Sequence, residues 1–162
     1  MAVHKLHIDE FDEIDYQLIA IHTSLEDYRL AYYINQNLPI TLKKSKCTIQ
    51  ISSKDGETQF TRFIFEDEKT GVTWDLLQNK NDILLSSQRI NQGLFAESTN
   101  KFSTKIYLIP EFSKVDYFLK IDNSSVSIDV SEITRQLKKI DRISTVYSVE
   151  VEKIKSKNNL IF

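Results

Sequence analysis

Apolar positions repeat along this chain with two different periods, and the changes of period mark its elements. Residues Tyr16 to Thr23 are rich in β-formers and carry the run Leu18-Ile19-Ala20-Ile21, which predicts a mostly buried strand. The period then changes. Leu30, Ala31, Ile34 and Leu38 share one face of a helix that stops before Pro39. Ser24 offers an N-cap, and Asp27 sets a carboxylate near the positive end of the helix. Tyr28 and Tyr32 flank the apolar face, and Tyr33 points elsewhere.

Thr48 to Ser53 alternates, with Ile49 and Ile51 on one face. Asp55-Gly56 is a hairpin signal, with a return strand over Gln59 to Glu66. Gly71 closes the next turn, and Val72, Trp74 and Leu76 face inward in the third strand of an antiparallel meander. Asn79 to Ser103 has the weakest pattern, with polar clusters at Ser86-Ser87-Gln88 and Ser98-Thr99-Asn100, and reads as a weak strand and a long mobile loop. Thr104 to Ile109 is a strand stopped by Pro110. Val115 to Ile121 is its expected hairpin partner, with Val115, Tyr117, Leu119 and Ile121 on one face. Asp129 caps a second helix, with Glu132 reaching back as in a capping box. Its apolar stripe is Val130, Ile133, Leu137 and Ile140. A last strand carries Tyr147, Val149 and Val151 on one face.

This order predicts a single α+β domain over residues 1–162: a two-layer sandwich with two helices packed on one face of a mainly antiparallel sheet. A short echo, Ile14-Asp15-Tyr16-Gln17-Leu18 against Val115-Asp116-Tyr117-Phe118-Leu119, hints at a duplicated unit.

Composition narrows the chemistry. The apolar fraction is 41% and the charged fraction 27%, which suits an ordinary globular chain and argues against disorder. Lys plus Arg is 21 and Asp plus Glu is 23, so global charge (net −2) gives no argument for nucleic acid or membrane. The three glycines, Gly56, Gly71 and Gly93, lie too far apart for a dinucleotide fingerprint or a phosphate-cradling loop. A lone Cys47 excludes a disulfide framework and a multi-cysteine metal site, and fits a reducing compartment. The first residues lead into acids rather than an apolar stretch, and no apolar run approaches a membrane span, so the expected location is the cytoplasm. The sequon at Asn123-Ser124-Ser125 carries no weight without secretion. No cofactor or metal is expected.

The segment Ile109-Pro110-Glu111-Phe112-Ser113-Lys114-Val115-Asp116-Tyr117 has six fixed positions of a recognisable signature: Ile109, Pro110, Glu111, Val115, Asp116 and Tyr117. It resembles the IPExxxVDY family, small bacterial proteins named for this motif. The stretch Ile21 to Ala31 also looks like that family's first strand-to-helix junction. The resemblance implies a family and a length, and brings no reaction or catalytic residue with it. Physically, Pro110 ends a strand and Glu111 to Lys114 turn a corner. Two readings stand. In one, Glu111 and Asp116 are structural carboxylates, with Tyr117 in the core. In the other they form an acid/base pair or metal ligands.

Other candidates read more plainly. His4 and His7 fall on opposite sides of a short strand. His22 stands at a helix N-terminus where an anion can dock, although Ser24 reads best as the cap. Cys47 follows Lys43, Lys44 and Lys46, which would lower its pKa; the plainer reading is an inert, partly buried strand residue. Asp9, Glu10, Asp12, Glu13 and Asp15 lack the alternation and glycine of a calcium loop and read as an acidic edge. The second helix is the most informative surface. Arg135, Lys138, Lys139 and Arg142 lie opposite its apolar stripe, and Tyr33 is the best exposed aromatic anchor.

The leading expectation is therefore a cytoplasmic, non-catalytic interaction domain that docks an acidic protein partner through this basic face, homodimer formation being one form of such contact. The alternative is a small-molecule enzyme using Glu111 and Asp116. The third is weak RNA or DNA binding, disfavoured because the basic footprint is narrow and the aromatics sit mostly on inward strand faces.

Overall fold

A computed structural model describes residues 15–54, 56–86, 101–122 and 126–162. In chain order the elements are β1 (Tyr16–Thr23), α1 (Asp27–Asn37), β2 (Lys43–Lys44), β3 (Ile49–Ser53), β4 (Gly56–Phe60), β5 (Arg62–Asp67), β6 (Val72–Gln78), β7 (Lys80–Ser86), β8 (Lys101–Tyr107), β9 (Tyr117–Asp122), α2 (Val130–Leu137) and β10 (Ile143–Ser148). The main sheet has six strands in the order β10-β1-β9-β6-β5-β2, with every neighbouring pair antiparallel. Two separate hairpins, β3–β4 and β7–β8, complete the architecture. This is the expected α+β arrangement. Because β9 and β10 both run antiparallel to β1, they are parallel to each other. They are joined by α2, with β1 inserted between them.

Both helices pack on one face. Leu30, Ala31, Ile34 and Leu38 from α1 and its end, with Ile133 and Leu137 from α2, the partly buried Val130 at its start and Ile140 from the turn after it, close over Ile19, Ile21, Leu76, Leu119 and Ile121. The predicted stripes are therefore the buried ones. The opposite sheet face is buried as well. Leu18, Ala20, Leu77 and Phe118 meet Phe60, Leu108, Ile109, Val149, Val151, Ile154 and Leu160. Burial on both faces is why Leu18 to Ile21 is a continuous apolar run.

Several local expectations are corrected. α1 starts at Asp27 with Glu26 as N-cap, and no side chain caps it. Ser24 does not take that role, because the chain on either side of it is held by other bonds and the helix begins only after the extended Glu26. Thr23 Oγ1 accepts from the Leu25 amide (3.1 Å) and donates to the Arg142 carbonyl (2.8 Å), while Tyr117 Oη donates to the Leu25 carbonyl (3.0 Å). The long return strand is two strands, β4 and β5, and β4 pairs only within its own hairpin. Ser53 pairs with Gly56, so Gly56 opens the return strand instead of sitting centrally in the turn, and its φ of +134° is one that side-chain-bearing residues rarely adopt.

β8 does not pair with β9. Its partner is β7, while β9 lies between β1 and β6. Val115 precedes β9 and packs on the face opposite Tyr117, Leu119 and Ile121. The last strand ends at Ser148, with Val146 on the helix side, and Val149 and Val151 beyond it. Asp129 caps α2 as expected, accepting from the Glu132 amide at 3.1 Å, but the Glu132 carboxylate turns to Arg135 and Gln136. The five-residue echo is not a repeated packing unit. Tyr16 and Leu18 face one side of the sheet, and Tyr117 and Leu119 face the other. Cys47 is exposed and precedes β3. His4, His7, Asp9, Glu10, Asp12, Glu13, the polar clusters between 87 and 100, and the sequon lie outside the described residues.

Candidate functional site

The signature segment is a hub that ties together three distant parts of the chain, at Thr23–Leu25, Asn79–Lys80 and Lys155–Ser156. Pro110 to Phe112 form one short 3-10 turn, with Ile109 fully buried before it. Glu111 reaches the C-terminal segment. Its Oε1 accepts from the amides of Lys155 (2.7 Å) and Ser156 (2.8 Å), and its Oε2 accepts from the Ser156 hydroxyl (2.7 Å). Partial burial pushes this carboxyl up, but the Ser156 and Lys155 donors together hold it below its ordinary value. Asp116 faces the other way. Its Oδ2 accepts from the Thr23 amide (2.9 Å) and its Oδ1 from the Lys80 ammonium (2.7 Å). No contact joins the two carboxylates, and each is engaged with different elements. Glu111→Ala is expected to speed amide hydrogen exchange at Lys155 and Ser156 selectively, measurable by NMR, because both amides lose one acceptor.

A residue the sequence reading passed over holds the corner together. Asn79 joins β6 to β7 and is completely buried. Its Nδ2 donates to the carbonyls of Phe112 (2.9 Å) and Val115 (2.8 Å), and its Oδ1 accepts from the Ile109 amide (2.9 Å). Its backbone also bonds Asp116 and Leu108. The only sequence signal was an asparagine at a strand boundary, which looks like ordinary turn chemistry.

Tyr117 is buried beneath the start of α1, and its hydroxyl is satisfied by Leu25. Burial, and then the charges of Asp27, Asp116 and Glu26, push its pKa from 10.0 to about 12. The sign follows from linkage. A raised folded value means the native state keeps the proton more tightly, so this contribution is complete below pH ~10 and is lost as pH rises toward about 12. Urea unfolding should show an alkaline decline in stability that is shallower in Tyr117→Phe. Beside these groups lies a small cleft of about 210 Å³, lined by Thr23, Ser24, Gln78, Lys80, Asp116 and Tyr117 among others.

The four basic residues do not share one helix face: α2 ends at Leu137, so Arg135 alone lies on it, Lys138 is its C-cap, and Lys139 and Arg142 follow in the turn that leads to β10. Arg142, in a left-handed conformation with φ of 71°, borders a groove of about 800 Å³ together with Tyr28, Arg29, Tyr32, Tyr33 and Asp141. All three tyrosines are exposed; Tyr33, at 41%, is less so than Tyr28 or Tyr32. Arg135 and Lys138 border a second groove, of about 430 Å³, between α2 and β10. Arg135 is held by Glu132 (2.7 Å), and Lys139 donates to Gln136 (3.1 Å). Of these four cations, Lys138, Lys139 and Arg142 have no ion-pair partner among the described residues, and Lys138 and Arg142 border the grooves. His22 is used locally, its ring stacked 5.7 Å from Tyr147.

A charged cluster on the sheet face away from the helices was also missed. Arg62 Nε meets the buried Asp75 carboxylate at 2.7 Å, and Lys120, opposite Asp75 across the strands, meets Asp122 at 2.6 Å. Phe162 lies over both cations, 4.2 Å from Arg62 and 5.0 Å from Lys120. Burial raises the Asp75 carboxyl, and Arg62 opposes that.

Among the described residues, no three His, Cys, Asp or Glu side chains gather as a metal site, and no helix is long and apolar enough to cross a membrane. Comparison with models of protein families, with curated proteins and with solved structures gives no match for this chain.

Proposed function

We propose that this chain is a non-catalytic interaction domain of the IPExxxVDY type that docks an acidic protein partner through the outer side of α2, in the cytoplasm. The observation that carries the reading is that two cations without acidic partners among the described residues, Lys138 and Arg142, each border a groove. One groove sets Arg142 against exposed tyrosines, and Tyr and Arg are the side chains that most often anchor protein interfaces. The signature corner supports the same reading, since its carboxylates are spent on holding the chain together.

Affinity capture with a tagged chain tests the proposal. The expected result is an acidic partner retained at low salt, released as salt rises, and lost from Lys138→Glu/Arg142→Glu. A partner held as firmly by that variant as by the native chain would overturn it.

A further inference from the structure

The open side of β10 offers something the basic side chains alone do not. β10 ends the main sheet, and among the described residues no strand lies beyond it. Its pairing with β1 sets which backbone groups are free. The Val149 amide donates to the Leu18 carbonyl at 2.8 Å, so Leu18–Val149, Ala20–Tyr147 and His22–Thr145 are the hydrogen-bonded pairs. The amides and carbonyls of Val146 and Ser148 therefore point away from β1. The register irregularity between His22 and Thr23 falls at the start of β10 and leaves Thr145 to Ser148 regular. From Ile143 to Ser148 the strand has no charge, proline or glycine, so it lacks the side chains that usually blunt an edge.

We propose that β10 takes up an extended acidic segment of the partner as a seventh strand of the sheet. This inference rests on the docking reading above and specifies its geometry. A groove of about 430 Å³ lies beside this edge, between β10 and Val130, Thr134 and Arg135 of α2 with its C-cap Lys138. Side chains of an added strand alternate between faces. On the helix side, acidic residues meet Lys138, and Arg135 next to it. On the other side, β-branched residues pack beside the Tyr147 ring, which is 37% exposed. Charge also decides against a second copy as the occupant. Two β10 edges paired about a two-fold axis would set α2 beside α2, with Arg135 and Lys138 of both copies along one seam.

The probe is a fluorescein-labelled peptide of eight residues alternating glutamate and valine, followed by fluorescence polarisation. It should bind the full chain, and binding should fall about tenfold or more in Lys138→Glu, and also when lysine replaces glutamate. Two further peptides carry backbone N-methyl groups on alternate residues, one set along each edge. One set should abolish binding and the other leave it within a few-fold, because only one edge donates to β10. Failure of the unmodified peptide to bind overturns the docking reading together with this inference. Charge-dependent binding that neither methylation pattern alters overturns strand addition alone. A concentration-dependent dimer in analytical ultracentrifugation, undisturbed by the peptide, makes the second copy the occupant and also overturns it.

Discussion

Asn79→Ala is expected to remove about 3–5 kcal/mol of stability, lowering the thermal midpoint by on the order of 10 °C. The size comes from what the side chain leaves behind. Two backbone groups, the Ile109 amide and the Val115 carbonyl, lose their Asn79 partner at once, while the Phe112 carbonyl loses Asn79 but keeps the Val115 amide at 2.9 Å. Each unsatisfied buried group costs about 1–3 kcal/mol, and water reaching the outer part of the corner recovers some of that. Asn79→Asp should not rescue the loss. A carboxylate accepts from the Ile109 amide, but it cannot donate to two carbonyls and adds a charge in a fully buried place. Urea unfolding of both variants checks the prediction. A loss under about 1 kcal/mol in Asn79→Ala would mean that the corner does not depend on this residue.

The charged cluster should respond asymmetrically. Arg62→Leu strands the Asp75 carboxylate, which is only 1% exposed, and should cost about 3 kcal/mol at neutral pH. Asp75→Leu should cost about 1 kcal/mol or less, because the Arg62 side chain is already 15% exposed and can turn to water, while Lys120 keeps Asp122. The double variant should resemble Asp75→Leu. The direction of the Asp75 shift supports this, since burial already outweighs what Arg62 returns. In Arg62→Leu the folded carboxyl value rises further. Its penalty is therefore full above that value and shrinks as falling pH protonates the group. Equal losses in the two single variants, independent of pH, would contradict the argument.

Much of this molecule was legible one element at a time. Where a single apolar face meets a single partner layer, periodicity is enough. The stripes Leu30-Ala31-Ile34-Leu38 and Ile133-Leu137-Ile140 are the buried ones, and Asp129 is the cap it was expected to be. The Gly56 and Gly71 turns fell where expected to within a residue, because positive φ is a local demand. Of the four cations expected on one face of the second helix, only Arg135 lies on α2; the helix ends at Leu137, Lys138 caps it, and Lys139 and Arg142 lie in the turn beyond. Their division between two grooves was not visible, since that depends on where α1 and β10 come to rest beside the helix.

Pairing between distant segments was not legible in this way. β8 and β9 follow each other and looked like a hairpin, yet β9 inserts between β1 and β6, where both of its faces are buried. Ser24 satisfied every local rule for a cap and was overruled by hydrogen bonds from residues more than ninety positions away. Asn79, the Arg62–Asp75 pair and the Glu111 clasp on Ser156 are bonds between segments; Asn79, Arg62 and Asp75 are unremarkable where they stand in the chain, and Glu111 stands out in the signature without showing its partner. Periods of two and 3.6 residues were enough to place the helices and most of the strands, and the inward side of most of them, before any pairing was known. The folded chain decided which strands meet, since that choice depends on burying both faces of the central strands at once and on leaving few buried polar groups without a partner.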